Sequence, residues 1–254
     1  DVLETACSGS CPNFSVNAFL GGAYFNGSMR DDLRIQGLIP LNDPYPSIGY
    51  THSGIQTLSS ATSSIFSIQG NDAPIDWVVV EMRSSATPSM VLQSIPCLVR
   101  KNGNVVTPDN NPIINSPLAT GSYHIAIRHR NHLGIMTGSP ITVNSSGYVI
   151  DFTNSSTSVY GTSSRMVIGS HSCLWSGNVN FNGHIKYTGQ DNDKDPILVR
   201  IGGSVASNTI TGYYQEDVNL DGVVKYTGSE NDRDIILQNI GGSVPTNFKT
   251  EQLP

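Results

Sequence analysis

The strongest constraint on this chain is a repeat close to its C-terminal end. Asn178 to Val205 aligns without a gap with Asp217 to Val244, a period of 39 residues in which seventeen of 28 positions are identical. Lys-Tyr-Thr-Gly recurs at 186–189 and 225–228, and Ile-Gly-Gly-Ser-Val at 201–205 and 240–244. Units of this length are too small to cover their own apolar face and gain stability by packing on a copy. One copy offers Ile185, Ile197, Leu198 and Ile201, and the other Val224, Ile236, Leu237 and Ile240. Neither set alone offsets the entropy of ordering a loop-rich segment. The expectation is one folded unit in which the two sets face each other, loosening before the rest of the chain when metal is removed.

The second copy opens with Asp217-Val-Asn-Leu-Asp-Gly222, the front half of a calcium loop. Oxygens at its first, third and fifth positions turn inward around a hard cation. Asp217, Asn219 and Asp221 supply them, Gly222 permits the sharp turn, and Val223 offers its carbonyl. The twelfth position, where such loops carry a closing acid, is Gly228, so the loop is not a regular EF-hand. Later acids, Asp232 or Asp234, are expected to close the site across an insertion. Ile235, Ile236, Leu237 and Ile240 then read as a short helix stopped by Gly241. The alternative is an Asx-turn that satisfies its own backbone. In the first copy Asn178, Asn180 and Asn182 replace the ligating residues, with His184 offering its carbonyl. Charge there comes from Asp193 and Asp195, with Asp191 nearby, and a metal-free loop held by Asn hydrogen bonds is the alternative.

Upstream, β-branched and aromatic runs alternate with turn clusters. Asp76 to Arg83, Ser122 to Arg130 and Tyr148 to Phe152 read as strands, and Cys97 to Val106 as a hairpin with a type I′ turn at Asn102-Gly103. Tyr123, Ile125 and Ile127 are expected on one face of their strand, and His124, Ala126 and Arg128 on the other. The fold class expected is mostly β: an antiparallel β-sandwich followed by a small duplicated calcium-loop module. The divisions are a lead-in at 1–13, the sandwich at 14–152, a polar linker at 153–173 and the module at 174–254.

The net charge is −6 and only 13% of residues are charged, which argues against nucleic acid and anionic membranes as partners. No apolar run is long enough to span a bilayer. Polarity comes from Ser, Thr, Asn and Gly, a texture associated with exported proteins, and an opening on Asp1 suits a mature product or a piece of something longer. Four cysteines in such a chain, Cys7, Cys11, Cys97 and Cys173, are expected to form two disulfides of open connectivity, with Cys7–Cys11 the simplest local pair; zinc or free buried thiols are alternatives. His124, His129 and His132 are expected on an exposed polar edge with ion pairs, Glu81 among the partners, rather than around a metal. No G-x-S-x-G, H-E-x-x-H or phosphate loop occurs, so no enzyme is expected. Trp77 reads as core; Trp175 and Tyr214 hold matching places before the two loops and read as packing of the repeat pair.

The repeat pair resembles dockerin modules, in which two calcium loops pair about a pseudo-twofold axis. Its particular form, Asp-x-Asn-x-Asp-Gly-x-Val-Lys-Tyr-Thr-Gly followed by Asn-Asp-Arg-Asp-Ile-Ile-Leu, is similar to the C-terminal region of secreted, haemagglutinin-like surface proteins of the Bacteroidota. Ala73 to Glu81, Tyr123 to Gly134 and the closing Thr250-Glu-Gln-Leu-Pro254 add to that resemblance, which runs from about Leu20 to Pro254. It implies export, Ca²⁺ and an extracellular or cell-surface role. Two readings follow: an adhesin-type module for a glycan or protein ligand, or a fibre or sheath subunit that associates with copies of itself.

Overall fold

The computed structural model describes residues 11–55 and 57–254, and over them the chain is mostly β. It begins with β1 (Asn13–Asn17), the hairpin β2 (Tyr24–Phe25) and β3 (Ser28–Met29), and one short helical turn, α1 (Asp32–Ile35). The central strands are β4 (Pro74–Ser84), β5 (Val91–Arg100), β6 (Val105–Val106), β7 (Ile114–Asn115), β8 (Gly121–His129) and β9 (His132–Met136). Next come β10 (Ile141–Val143), β11 (Val149–Asp151), β12 (Met166–Ile168) and β13 (His171–Cys173). The repeats supply β14 (His184–Lys186), α2 (Lys194–Arg200), β15 (Thr209–Thr211), β16 (Val223–Lys225), α3 (Asp232–Asn239) and β17 (Phe248–Thr250).

One sheet has the order β10-β8-β4-β5-β6, with β9 also on β8; a smaller one has the order β11-β1-β7. Phe14, Val16, Ile114 and Ile150 of the smaller sheet share one buried cluster with Trp77, Val79, Leu98 and Ile127 of the larger. Within that frame β1 pairs with β11 in parallel, so the sheets are not wholly antiparallel. Strand β4 is buried on both faces, which explains its unbroken apolar run from Trp77 to Val80.

Several local expectations change. The 97–106 hairpin forms, but of its two central residues only Gly103 has a positive φ, 90°. Lys101 to Asn104 make a longer connection in which one left-handed glycine suffices. Residues 153–173 are not a plain link, because β12 and β13 pair there. Both faces of β8 are covered: His124 and Ala126 are as buried as Ile125 and Ile127. Part of that cover comes from the last residues, where Gly134 N–H donates to Glu251 Oε1 at 2.6 Å and Arg128 pairs with Glu251 at 3.2 Å. Cys97 and Cys173 are buried free thiols rather than a disulfide. Their apolar surroundings push Cys97 well up and Cys173 to about 12, so they behave as small core side chains. The proposed Cys7–Cys11 pair involves Cys7, which lies outside the described residues.

The repeats exchange strands. The first strand of copy one, β14, pairs with the second strand of copy two, β17; likewise β16 pairs with β15. The registers match under the 39-residue shift: Ile185 faces Lys249 as Val224 faces Ile210. Ile185, Ile197, Ile201, Val224, Ile236 and Ile240 form one buried cluster, with Leu198 and Leu237 packed against it. Each helix ends at a glycine with positive φ, Gly202 at 109° and Gly241 at 113°, where L side chains are strained. Trp175 and Tyr214 lie half-buried on this cluster, and Trp77 is in the main core.

Candidate functional site: two interlocked loops and a buried polar hub

In the second loop the side chains fold back on the backbone. Asp217 accepts from Asp221 N–H (3.1 Å) and Gly222 N–H (2.9 Å), one through each oxygen. Asn219 Oδ1 accepts from Asp221 N–H at 3.0 Å, and Asp221 Oδ1 from Val223 N–H at 2.8 Å. Asp232 reaches across the insertion: Oδ1 accepts from Val218 and Asn219 N–H, and Oδ2 from Lys225 N–H at 2.7 Å. Asp234 does not enter the loop. It sits in the first turn of α3, bonded to Arg233 and to the amide of the N-cap Asn231, which holds its carboxyl below the ordinary range.

The first loop repeats this pattern. Asp193 accepts from Val179, Asn180 and Lys186 N–H, as Asp232 does in its copy. Asp195 bonds Asn192 and Lys194 at the surface, as Asp234 bonds its neighbours. Asn178 Oδ1 accepts from Asn182 N–H, and Asn182 Oδ1 from His184 N–H. Asn180 Nδ2 donates to the Asp191 carbonyl. The copies part at the first position. Asp217 offers a second acceptor oxygen to Gly222, whereas Asn178 offers an amide nitrogen that is buried and, among the described residues, without a partner. Position seven of the loops, His184 and Val223, begins β14 and β16.

Burial dominates the electrostatics. Desolvation raises Asp217 to about 7, against the pull of Arg130. Desolvation, then the neighbouring Asp217 charge, raises Asp232 to about 8. Asp193 rises to about 7, again chiefly by desolvation. Among the described residues no three His, Cys, Asp or Glu side chains converge closely enough to hold a metal by themselves. The donor types of the second loop nevertheless suit a hard cation. Asp217, Asn219 and Asp221 lie on one turn, Asp232 reaches its backbone from the start of α3, and an oxygen accepting one N–H keeps a further lone pair. The first loop fits less well, because Asp193 is its only buried acid and Asn178 presents a donor.

Both loops are anchored to the β sheets. Position four of each inserts an apolar side chain with a left-handed backbone: Leu220 (φ 58°) enters the main core and Phe181 (φ 55°) packs against it, beneath Arg128. In return, Leu133 of β9 is buried in the repeat cluster. The turn between β8 and β9 is the hub. Asn131 O accepts from Gly177 and Asn178 N–H, and Asn131 Nδ2 donates to Gln215 O and Asp217 O. One residue thus grips the first position of both loops.

Around it lies a charged network. Asp76 accepts from Arg130 Nε (2.9 Å), His129 Nε2 (3.1 Å) and Tyr213 OH (2.6 Å). Those donors hold Asp76 at about 2 despite full burial, chiefly through Arg130. His132 Nε2 accepts from Gly22 N–H, so its Nδ1–H faces His129 Nδ1 and Asn131 Oδ1, both at 2.8 Å. That arrangement is satisfied with both imidazoles neutral. Desolvation also lowers both, His132 strongly. The histidines are therefore not an exposed edge: His129 and His132 belong to this network, and His124 bonds the Thr137 carbonyl. Glu81 does take Arg128 at 3.9 Å, besides Arg83 and Tyr50.

Asp76, Arg130, Asn131 and Tyr213 were not legible as a site. Asn131 and Asp217 stand 86 positions apart, and no local pattern links them. The chain matches no known protein family, curated protein or solved structure in comparisons with all three. No helix among the described residues is long and apolar enough to cross a membrane.

Proposed function

We propose that the chain is a non-enzymatic, extracellular or cell-surface protein whose second repeat loop binds Ca²⁺ and whose β sheets act as an adhesin-type module for a glycan or protein ligand. In this reading the two sheets are a β-sandwich, the repeats a dockerin-like pair, and the resemblance to secreted haemagglutinin-like surface proteins one of kind. The observation that carries it is that Asp217, Asn219, Asp221 and, from α3, Asp232 are all fixed by hydrogen bonds to six backbone N–H groups of residues 218–225. Hydrogen bonds of this kind reduce the ordering that cation binding has to supply. Calcium would be held by those side chains and the Val223 carbonyl. It would offset carboxylates that otherwise repel one another and hold Leu220 of the loop in the main core and Asp217 on Asn131. Isothermal titration of the metal-stripped chain with CaCl₂ tests this. Saturable uptake lost in Asp221→Ala is expected; equal uptake by both proteins refutes the assignment.

A second reading, a self-associating fibre or sheath subunit, has one observation in its favour. Strands β10 and β11 are both edges, and between them lies a cavity of about 400 Å³ lined by Ile141, Tyr148, Val149 and Ile150. Val149 is 67% exposed there. An open edge beside a groove lined by both apolar and polar side chains, Thr137, Asp151 and Ser158 among the latter, is a template for an added strand. Sedimentation velocity separates the readings: concentration-dependent growth supports the fibre, and a fixed monomer the adhesin.

A further inference from the structure

Beside the polar hub lies a cavity of about 230 Å³, lined by Arg130, Arg200, Tyr213, Tyr214, Gln215 and Ile48. Two consecutive tyrosines each carry a guanidinium: Arg130 lies 4.3 Å from the Tyr213 ring centre and Arg200 4.6 Å from that of Tyr214. The ring faces are thus occupied in fixing the arginines. Arg130 is only 1% exposed, with Nε on Asp76 and Nη1 on the Tyr214 carbonyl. Its Nη2 is buried with no hydrogen-bond partner among the described residues. A buried charged donor left unpaired is costly, and in a native protein it calls for an acceptor. Arg200 reaches Glu216 at 3.1 Å and, with 41% of its side chain exposed, keeps further N–H groups at the mouth.

We infer that this cavity binds a small organic molecule through a single carboxylate, whose oxygens accept from Arg130 Nη2 and Arg200. The unpaired donor calls for an acceptor, and the charge balance limits how much negative charge that acceptor carries. Asp76 and Glu216 already face the two guanidiniums, so a monoanion suits the site better than a dianion such as phosphate. The volume falls below the roughly 300–1,000 Å³ of pockets for drug-sized ligands, which fits one acid of about monosaccharide size. The inference deepens the binding-module reading and rests on it.

The probe is glucuronate, with acetate, glucose and inorganic phosphate as comparisons, titrated into the calcium-loaded chain and followed by amide chemical shifts. Saturable shifts centred on Tyr213 to Gln215 are expected with glucuronate and, more weakly, acetate, and none with glucose. Arg200→Gln, at a partly exposed position, should weaken glucuronate at least tenfold while Arg165→Gln changes nothing. No saturable response in a folded protein, equal binding of glucose, tighter binding of phosphate, or full affinity in Arg200→Gln would each overturn the inference. Calcium uptake measured on the same sample keeps its failure separate from failure of the calcium reading.

Discussion

Asn131 Nδ2 donates to the carbonyl of Asp217 at 2.6 Å, joining the turn between two sheet strands to the first residue of the second repeat loop. The same amide serves Gln215 O, and the Asn131 carbonyl serves Gly177 and Asn178. Asn131→Ala removes the side-chain half of this grip and leaves two carbonyls short of a partner, a cost of about 2–4 kcal/mol. Urea unfolding should show that loss, and calcium affinity should fall with it. A stability change under about 0.5 kcal/mol, the range of an inconsequential surface substitution, would show that the clamp carries nothing.

Calcium itself should discriminate between two acids two positions apart. Asp232→Asn should abolish uptake, because that carboxylate closes the loop, whereas Asp234→Asn should leave it within twofold, because Asp234 only serves the start of α3. Saturation at about a hundred times Kd should stabilise the parent chain by about 3 kcal/mol, by mass action. Loss of uptake in Asp234→Asn would reverse the assignment.

The first loop should be repairable. Asn178→Asp replaces a buried, partnerless amide nitrogen with the acceptor its counterpart Asp217 presents to Gly222. Together with Asn182→Asp it should add one calcium per chain. An unchanged stoichiometry would mean that the first loop is held closed by its own hydrogen bonds whatever its charge.

Gly22 should not tolerate a side chain. A Cβ there would stand 2.0 Å from the Val218 carbonyl, a backbone atom of the second loop, and the Gly22 N–H serves His132. Gly22→Ala should cost about 1–3 kcal/mol and shift the loop. Retained stability with unchanged calcium affinity would show that this approach is looser than drawn.

Acid should weaken the hub in two stages. His129 and His132 are held below 6.5 in the folded chain, so below about pH 6.5 the unfolded chain binds more protons and stability falls. Asp76, at about 2 against an ordinary 3.8, adds about 2 kcal/mol of stability that is lost as pH drops from about 4 toward 2. Asp193, Asp217 and Asp232, raised to about 7–8, pull the whole-chain midpoint the other way over the same range, so the readout is a difference between variants. The urea-midpoint gap between the parent and His129→Gln/His132→Gln should change between pH 7.5 and 5.5, and the gap between the parent and Asp76→Asn should narrow between pH 4.5 and 2.5. Gaps that stay constant with pH would contradict the two assignments.

Much of the repeat was legible because its information is local. Period, glycine stops and apolar spacing gave the short helix before Gly241 and the facing sets from Ile185 to Ile240. Which later acid enters the loop was open in the sequence. It is decided by the reach of Asp232 to Val218 and Lys225 N–H, while Asp234 falls on the outer side of the first helical turn. The hub was illegible for the opposite reason. A His-Arg-Asn-His turn reads as polar surface, and only chain segments far away in sequence, around Asp76 and Tyr213, bury it. The two thiols misled likewise: an even cysteine count says nothing about whether Cys97 and Cys173 come close enough to pair.

The interlock also alters what metal removal should do. With Leu133 inside the repeat cluster and Leu220 inside the main core, loosening of the second loop should pass to the turn that grips it. Amide hydrogen exchange of the native chain, in calcium and in chelator, tests the account most directly. It predicts faster exchange in chelator at Val218, Asp221, Gly222 and Lys225, whose N–H groups the loop carboxylates hold. It also predicts faster exchange at Leu133, while Val78 to Val80 in β4 stay protected. Identical exchange at those loop amides with and without calcium would contradict it.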